Sequence, residues 1–140
     1  MRRLLLAFTS LALTIPGGLA IECLNGQSAG ILTVEQWELG ESQSEGDEKA
    51  IRVTLQPQGD LGIRLIDGTI RFEDVLGERI GEFILERAEG IPPARPYIHE
   101  DVVAGTVLER LEQLHPDDIV TIACVSALVY EDGTLHEFTQ

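Results

Sequence analysis

The stretch Ile119–Tyr130 constrains this chain more than any other. It is apolar or small on both alternating faces, with Val120, Ile122, Cys124, Leu128 and Tyr130 on one and Ile119, Ala123, Val125 and Val129 on the other. A strand of that composition needs cover on both sides, which places it in the middle of a sheet. Ile, Val and Thr dominate and no helix cap fits its ends, so a buried helix of the same length is the weaker reading. The strand stops at Glu131-Asp132-Gly133-Thr134, where Asp-Gly supplies the positive φ of a tight hairpin, and alternation resumes through Leu135–Phe138.

The segments upstream supply partners for that strand. Within Gly30–Leu39, Leu32 and Val34 share one face and Trp37 and Leu39 the other, a phase switch that fits a bulged strand. A short helix capped by Thr33, with Gln36 closing the cap, competes with it. Residues 40–48 hold no apolar side chain and read as a solvated loop. Ala50–Gln56 alternates cleanly, with Ile51, Val53 and Leu55 inward. In Leu61–Glu73, Asp67-Gly68 is either a two-residue turn or a bulge in one long strand. We read the long strand, with Ile66, Ile70 and Phe72 on one face and a turn at Asp74–Gly77.

Glu78–Arg87 has helical spacing of Ile80, Phe83 and Ile84, but Gly77 and Gly81 would each cost a helix about 1 kcal/mol, so we read a strand. Pro92, Pro93 and Pro96 make Gly90–Asp101 an extended crossing. Val102–Glu109 reads as a further strand, and residues 110–115 as one helical turn stopped by Pro116. Seven short strands separated by turn signals imply a single all-β domain, an antiparallel two-sheet sandwich over residues 21–140.

The N-terminus has the form of a secretory signal over residues 1–20. Arg2 and Arg3 precede an apolar run, Leu4–Ile15, and Gly18-Leu19-Ala20 offers small residues for cleavage before Ile21. The run is too short to span a bilayer, and no later segment is longer. Without Arg2 and Arg3 the basic count falls from 10 to 8 against 24 acidic residues, a formal charge of −16. Nucleic acid and anionic lipid would be repelled. The charge would draw in cations or a basic partner, although such an excess serves solubility first. Export also bears on the two cysteines, Cys23 and Cys124, which an oxidising compartment would join. Lipidation of Cys23 is the alternative, opposed by Glu22 where a small residue is normal.

The residues Phe72, Glu73, Asp74 and Gly77, and later Tyr130, Asp132 and Gly133, carry a resemblance. In FxLYD-type domains a long strand ends in an aromatic and an acidic residue before a glycine turn, and a late strand ends in an aromatic followed by Asp-Gly. Over residues 50–138 the chain resembles these small exported immunoglobulin-like sandwiches of bacterial envelopes. The resemblance implies an immunoglobulin-like fold and an envelope compartment, in a group whose members mostly lack a known activity.

Signatures of catalysis are thin. No Gly-x-Ser-x-Gly elbow, glycine-rich phosphate loop or His-Glu-x-x-His occurs, and no cofactor is called for. Cys124 paired with a histidine would make a nucleophile, but its place within a strand and its expected disulfide speak against it. The expected function is therefore a non-enzymatic binding or accessory module whose partner is an envelope protein or a small ligand. Its surface would lie at the sheet edges and around Trp37, Pro92, Pro93 and Tyr97. The alternative is metal binding by His99, His115 or His136 with adjacent carboxylates. None of the three has paired ligand spacing, so all are expected to be ordinary surface side chains.

Overall fold

The computed structural model describes residues 22–88 and 90–138. The expected signal peptide and its cleavage point lie outside the described residues. Seven strands form two antiparallel sheets, in the order β1 (Leu32–Glu41), β2 (Lys49–Pro57), β3 (Ile63–Asp74), β4 (Arg79–Ile84), β5 (Tyr97–Val103), β6 (Ile119–Tyr130) and β7 (Leu135–Glu137). One sheet runs β1-β2-β5 and the other β4-β3-β6-β7. β1–β2, β3–β4 and β6–β7 pair as hairpins, whereas β2–β5 and β3–β6 pair across long connections, the Greek-key pattern of an immunoglobulin-like sandwich. β6 is interior to its sheet, as its two apolar faces require.

The core lies between the sheets. Ile51, Val53 and Leu55 face Ile66, Ile70, Phe72, Ala123, Val125 and Leu128, all nearly or wholly buried. Full burial of a side chain of the Val, Leu, Ile or Phe kind stabilises by about 1.5–3 kcal/mol. Phe72 is the hub: Trp37 meets it edge-on at 5.5 Å from one side and Phe83 at 5.5 Å from the other.

Of the four register shifts in the ladders, the two in β1 and β6 bear most on which large side chains reach that core. In β1, Val34 pairs with Leu55 and Gln36 with Thr54, leaving Glu35 extra. Trp37 and Leu39 thereby join Val34 on the inner face, opposite Val53 and Ile51. The phase switch read in the sequence is this bulge. The second lies where Asp67 pairs with Ala127 and Gly68 with Val125, so that Ser126 is the extra residue. β3 runs straight through Asp67-Gly68 as one strand, but the face assignment of β6 needs correction. Ile119, Ala123 and Val125 point inward before the bulge and Leu128 after it, so Leu128 does not share a face with Cys124.

The turns follow their residue chemistry. Asp74 Oδ1 accepts the backbone N–H groups of Leu76 and Glu78, each at 2.9 Å, and Gly77 takes the positive φ. In the β6–β7 hairpin, Gly133 at φ 88° closes the turn while Asp132 Oδ1 accepts Thr134 N–H at 2.9 Å.

The stretch between β4 and β6 departs from expectation. The strand expected at Val102–Glu109 is β5, which ends at Val103, and Tyr97–Asp101 belongs to it rather than to an extended crossing. A nine-residue helix, α1 (Gly105–Gln113), replaces both the rest of that strand and the single turn expected at 110–115. Gly105, at φ 58°, turns the chain, and Leu108 and Leu111, three apart, bury one helical face. α1 packs on β4 where Gly81 leaves room: a Cβ there would lie 2.8 Å from Val107 Cγ1. A 3-10 turn at Pro116–Asp118 then leads into β6.

Candidate functional site

Cys23 and Cys124 are joined, with Cα atoms 5.5 Å apart and a sequence separation of 101 residues. Cys124 pairs with Thr69 across the ladder, and both point away from the core. The bridge therefore lies on the outer face of the four-stranded sheet. In antibody domains the disulfide instead crosses the interior between the sheets. Here it straps the N-terminal segment over β6. Leu24–Gln27 makes a turn with Asn25 at φ 54° and Gly26 at φ 73°, closed by Gln27 N–H to Leu24 O at 3.1 Å. The chain then runs beside β6: Ser28 exchanges two backbone hydrogen bonds with Val125, and Gln27 Nε2 donates to Ser126 Oγ at 2.9 Å.

The same face holds a buried charge. Arg71 donates from Nη1 to the Glu22 carbonyl at 2.8 Å and pairs through Nη2 with Glu73. Its Nε lies 3.9 Å from Glu82, which also pairs with Arg79. A guanidinium so deeply placed needs these partners, because breaking a buried pair leaves an uncompensated charge.

The residues expected to form a recognition surface do not share one patch. Trp37 is half-buried on edge strand β1, whereas Tyr97 is half-buried on β5, the opposite edge of the same sheet, facing inward across from Leu55. Pro92 and Pro93 are half-buried just after Ile91, whose backbone bridges to Ile63. The histidines are dispersed as well. His115 is exposed and accepts Asp117 N–H at Nδ1, and His136 is exposed on β7, edge-on to Tyr130. His99 corrects the expectation of a surface side chain. It points into the sandwich opposite Val53 and is 5% exposed. Among the described residues its Nε2 has no hydrogen bond, with Asp101 Oδ2 at 3.7 Å. Among the described residues no group of three or more His, Cys, Asp or Glu side chains gathers to hold a metal.

Two carboxyl groups titrate below the usual aspartate range, and both belong to turns. Asp74 is held down first by the Glu78 backbone N–H, then by that of Leu76 and by Arg110, whose Nη2 lies 3.1 Å from Oδ2. Asp132 is held down by the backbone N–H and then the hydroxyl of Thr134. These shifts describe well-made turns rather than proton transfer.

One feature escaped sequence reasoning. An open groove of about 750 Å3 separates β1 from the first half of β6. Trp37 and Leu39 from β1 and Leu111 and Leu114 from the α1 end supply its apolar lining, with Ile119 and Thr121 alongside. Glu35, Glu38, Glu112 and Asp117 also line it, and no Lys or Arg among the described residues does. Among the described residues β1 has no ladder partner on the side away from β2. β7 covers β6 only at 127–129 and Ser28 covers it at Val125, so the 119–123 edge has no ladder partner there among the described residues. Such an arrangement depends on contacts between β1 and β6, far apart in sequence, which no local spacing records.

No protein-family model and no curated protein matches the chain. The chain is similar to a solved structure described as the X-ray structure of Northeast Structural Genomics Consortium target SoR45, over 75% of this chain and 78% of that one. The identity is 16% and the TM-score 0.39, a likeness from which nothing further follows. The class is set by strand order and pairing: an all-β, disulfide-bonded, immunoglobulin-like sandwich. Among the described residues no helix is long and apolar enough to cross a membrane.

Proposed function

We propose that the protein is an exported, non-enzymatic binding or accessory module of the bacterial cell envelope, acting in the periplasm or outside the cell. The observation that carries the binding reading is the open groove, where the only tryptophan in the chain lies beside two unpaired strand edges. Export is supported by the disulfide, which persists in oxidising compartments, together with the signal-like N-terminus. The non-enzymatic reading is supported by the absence of nucleophile and phosphate-loop motifs and by the use of Cys124 in the bridge. Its resemblance to FxLYD-type domains points to the same compartment.

Capture with the tagged protein from its native envelope fraction, after reversible crosslinking, tests the reading. The expected result is a defined envelope partner, with the recovered protein beginning at or near Ile21 and free of lipid. Protein confined to the cytoplasm with two free thiols would refute export, and a diacylglycerol on Cys23 would make it a membrane-anchored lipoprotein instead.

A further inference from the structure

We propose that the groove between β1 and β6 receives an extended segment of another polypeptide that alternates apolar and basic side chains, adding a strand to the sandwich. This rests on the binding-module reading and names its surface and the chemistry of its partner. The first argument is the backbone. Every second residue of an edge strand turns its N–H and C=O away from its ladder, and here two such edges flank one groove. Groups in that repeat are met by another extended backbone.

The second argument is the wall. Trp37, Leu39 and Leu114, each half-buried, offer apolar surface from two elements over the buried Leu111, a seat for side chains on one face of an incoming strand. Successive side chains of a strand point to opposite faces, so the alternate positions meet different surroundings. Those surroundings are acidic, which is the third argument. Glu35 has no ion pair among the described residues, and Asp117 faces only the exposed His115 at 3.5 Å. Glu38 and Glu112 engage Arg52 and Lys49, both well exposed to water, so these contacts cost little to exchange. In a chain of formal charge −14, a groove lined by four carboxylates and no cation selects Lys and Arg and repels acidic segments, including a second copy of this chain's 41–48 loop. The Glu35–Leu39 stretch spans about 16 Å, room for a strand of roughly five residues.

Trp37 is the only tryptophan, so its emission reports on one place, the groove it lines and the Phe72 ring it packs against. The probes are three blocked peptides of about eight residues: alternating Lys and Val, alternating Glu and Val, and the Lys–Val peptide with N-methyl groups on alternate backbone nitrogens. We expect the Lys–Val peptide to shift Trp37 emission saturably and to bind at least about tenfold tighter than the Glu–Val peptide in about 50 mM salt. N-methylation should weaken it by about tenfold, because it removes the ladder donors. Glu35→Lys with Asp117→Lys should cost about tenfold at low salt and much less at about 500 mM, while Glu86→Lys outside the groove should change nothing.

No saturable shift up to about 1 mM peptide, a Kd at which binding free energy is only about 4 kcal/mol, would overturn the proposal. So would equal binding of the two charge types, or indifference to N-methylation. Self-association that excludes the peptide would assign the groove to a second copy and overturn it too. The charge-reversed variant separates this proposal from the broader one. An envelope partner captured equally well by wild type and variant would leave the binding module standing and remove the groove from it. Peptide binding by a protein found reduced in the cytoplasm would do the reverse.

Discussion

A single methyl group at Gly68 probes the β6 bulge. A Cβ there would lie 2.7 Å from the Cys124 carbonyl oxygen, 3.2 Å from Leu85 Cδ1 and 3.3 Å from Val125 Cα. Leu85 can swing away, but Cys124 O is backbone, in the strand that carries the disulfide. Restoring an ordinary C···O separation of about 3.3 Å requires β3 and β6 to part by roughly 0.6 Å at this point of the ladder. Overpacking of this kind costs about 1–3 kcal/mol, and the lost backbone freedom of the unfolded chain returns about 0.4–1 kcal/mol. Gly68→Ala should therefore destabilise by about 1–2 kcal/mol. For roughly 120 folded residues at about 2.1 cal/mol/K each, that is a Tm lower by about 4–8 °C. Thermal unfolding followed by circular dichroism, with the disulfide intact in both proteins, measures it. Adding Leu85→Ala should leave the Gly68→Ala penalty nearly intact, because the side-chain clash is the lesser one. A Gly68→Ala protein as stable as wild type would refute the crossing geometry.

The disulfide should leave no thiol to alkylate in native protein and two after reduction. Cys23→Ser should lower stability by about 2–5 kcal/mol, and Cys124→Ser by more, since it also buries a hydroxyl at a fully buried position; equal losses in chemical denaturation would contradict this. The Asp74 carboxyl titrates below its ordinary value, so its stabilisation is present above about pH 4 and fades as pH falls through the lower folded value. The Tm gap between wild type and Asp74→Asn should accordingly be full at neutral pH and close in acid, and a gap that does not change with pH would rule this out. His99→Leu should raise stability by about 1 kcal/mol, because it removes a buried nitrogen without a hydrogen bond, and a clear loss would mean that His99 has a partner worth keeping.

The two bulges show what makes a fold legible in sequence. β1 has one apolar face, so the extra Glu35 moved its large side chains from one parity to the other, visible as Leu32 and Val34 against Trp37 and Leu39. β6 is apolar on both faces, so the extra Ser126 left no trace, and strict alternation put Leu128 on the wrong side. β5 was hidden for another reason. Its inward positions are Tyr97, His99, Asp101 and Val103, and two polar residues among four erase the alternation that marks a strand. The paired apolar residues Val102-Val103 and Val107-Leu108 suit strand or helix alike, and the positive φ at Gly105 decides between them. Cys23 and Cys124 were the only thiols of the expected mature chain, so their pairing was legible, but the groove was not, because its walls come from β1, α1 and β6.

The bridge that straps the N-terminal segment to β6 also encloses most of the polypeptide in one covalent ring. The polar 42–48 loop, exposed at nearly every position, is the natural place for a protease to cut, and it lies inside that ring. A cut there would open the ring without separating its halves: strands β1 and β2 would stay hydrogen-bonded, and the two pieces would remain one molecule through sulfur. Clipped protein would run as a single species on a non-reducing gel and as two on a reducing one. Where reductants are scarce, a cut at that loop would leave the two pieces covalently joined until the bridge is reduced.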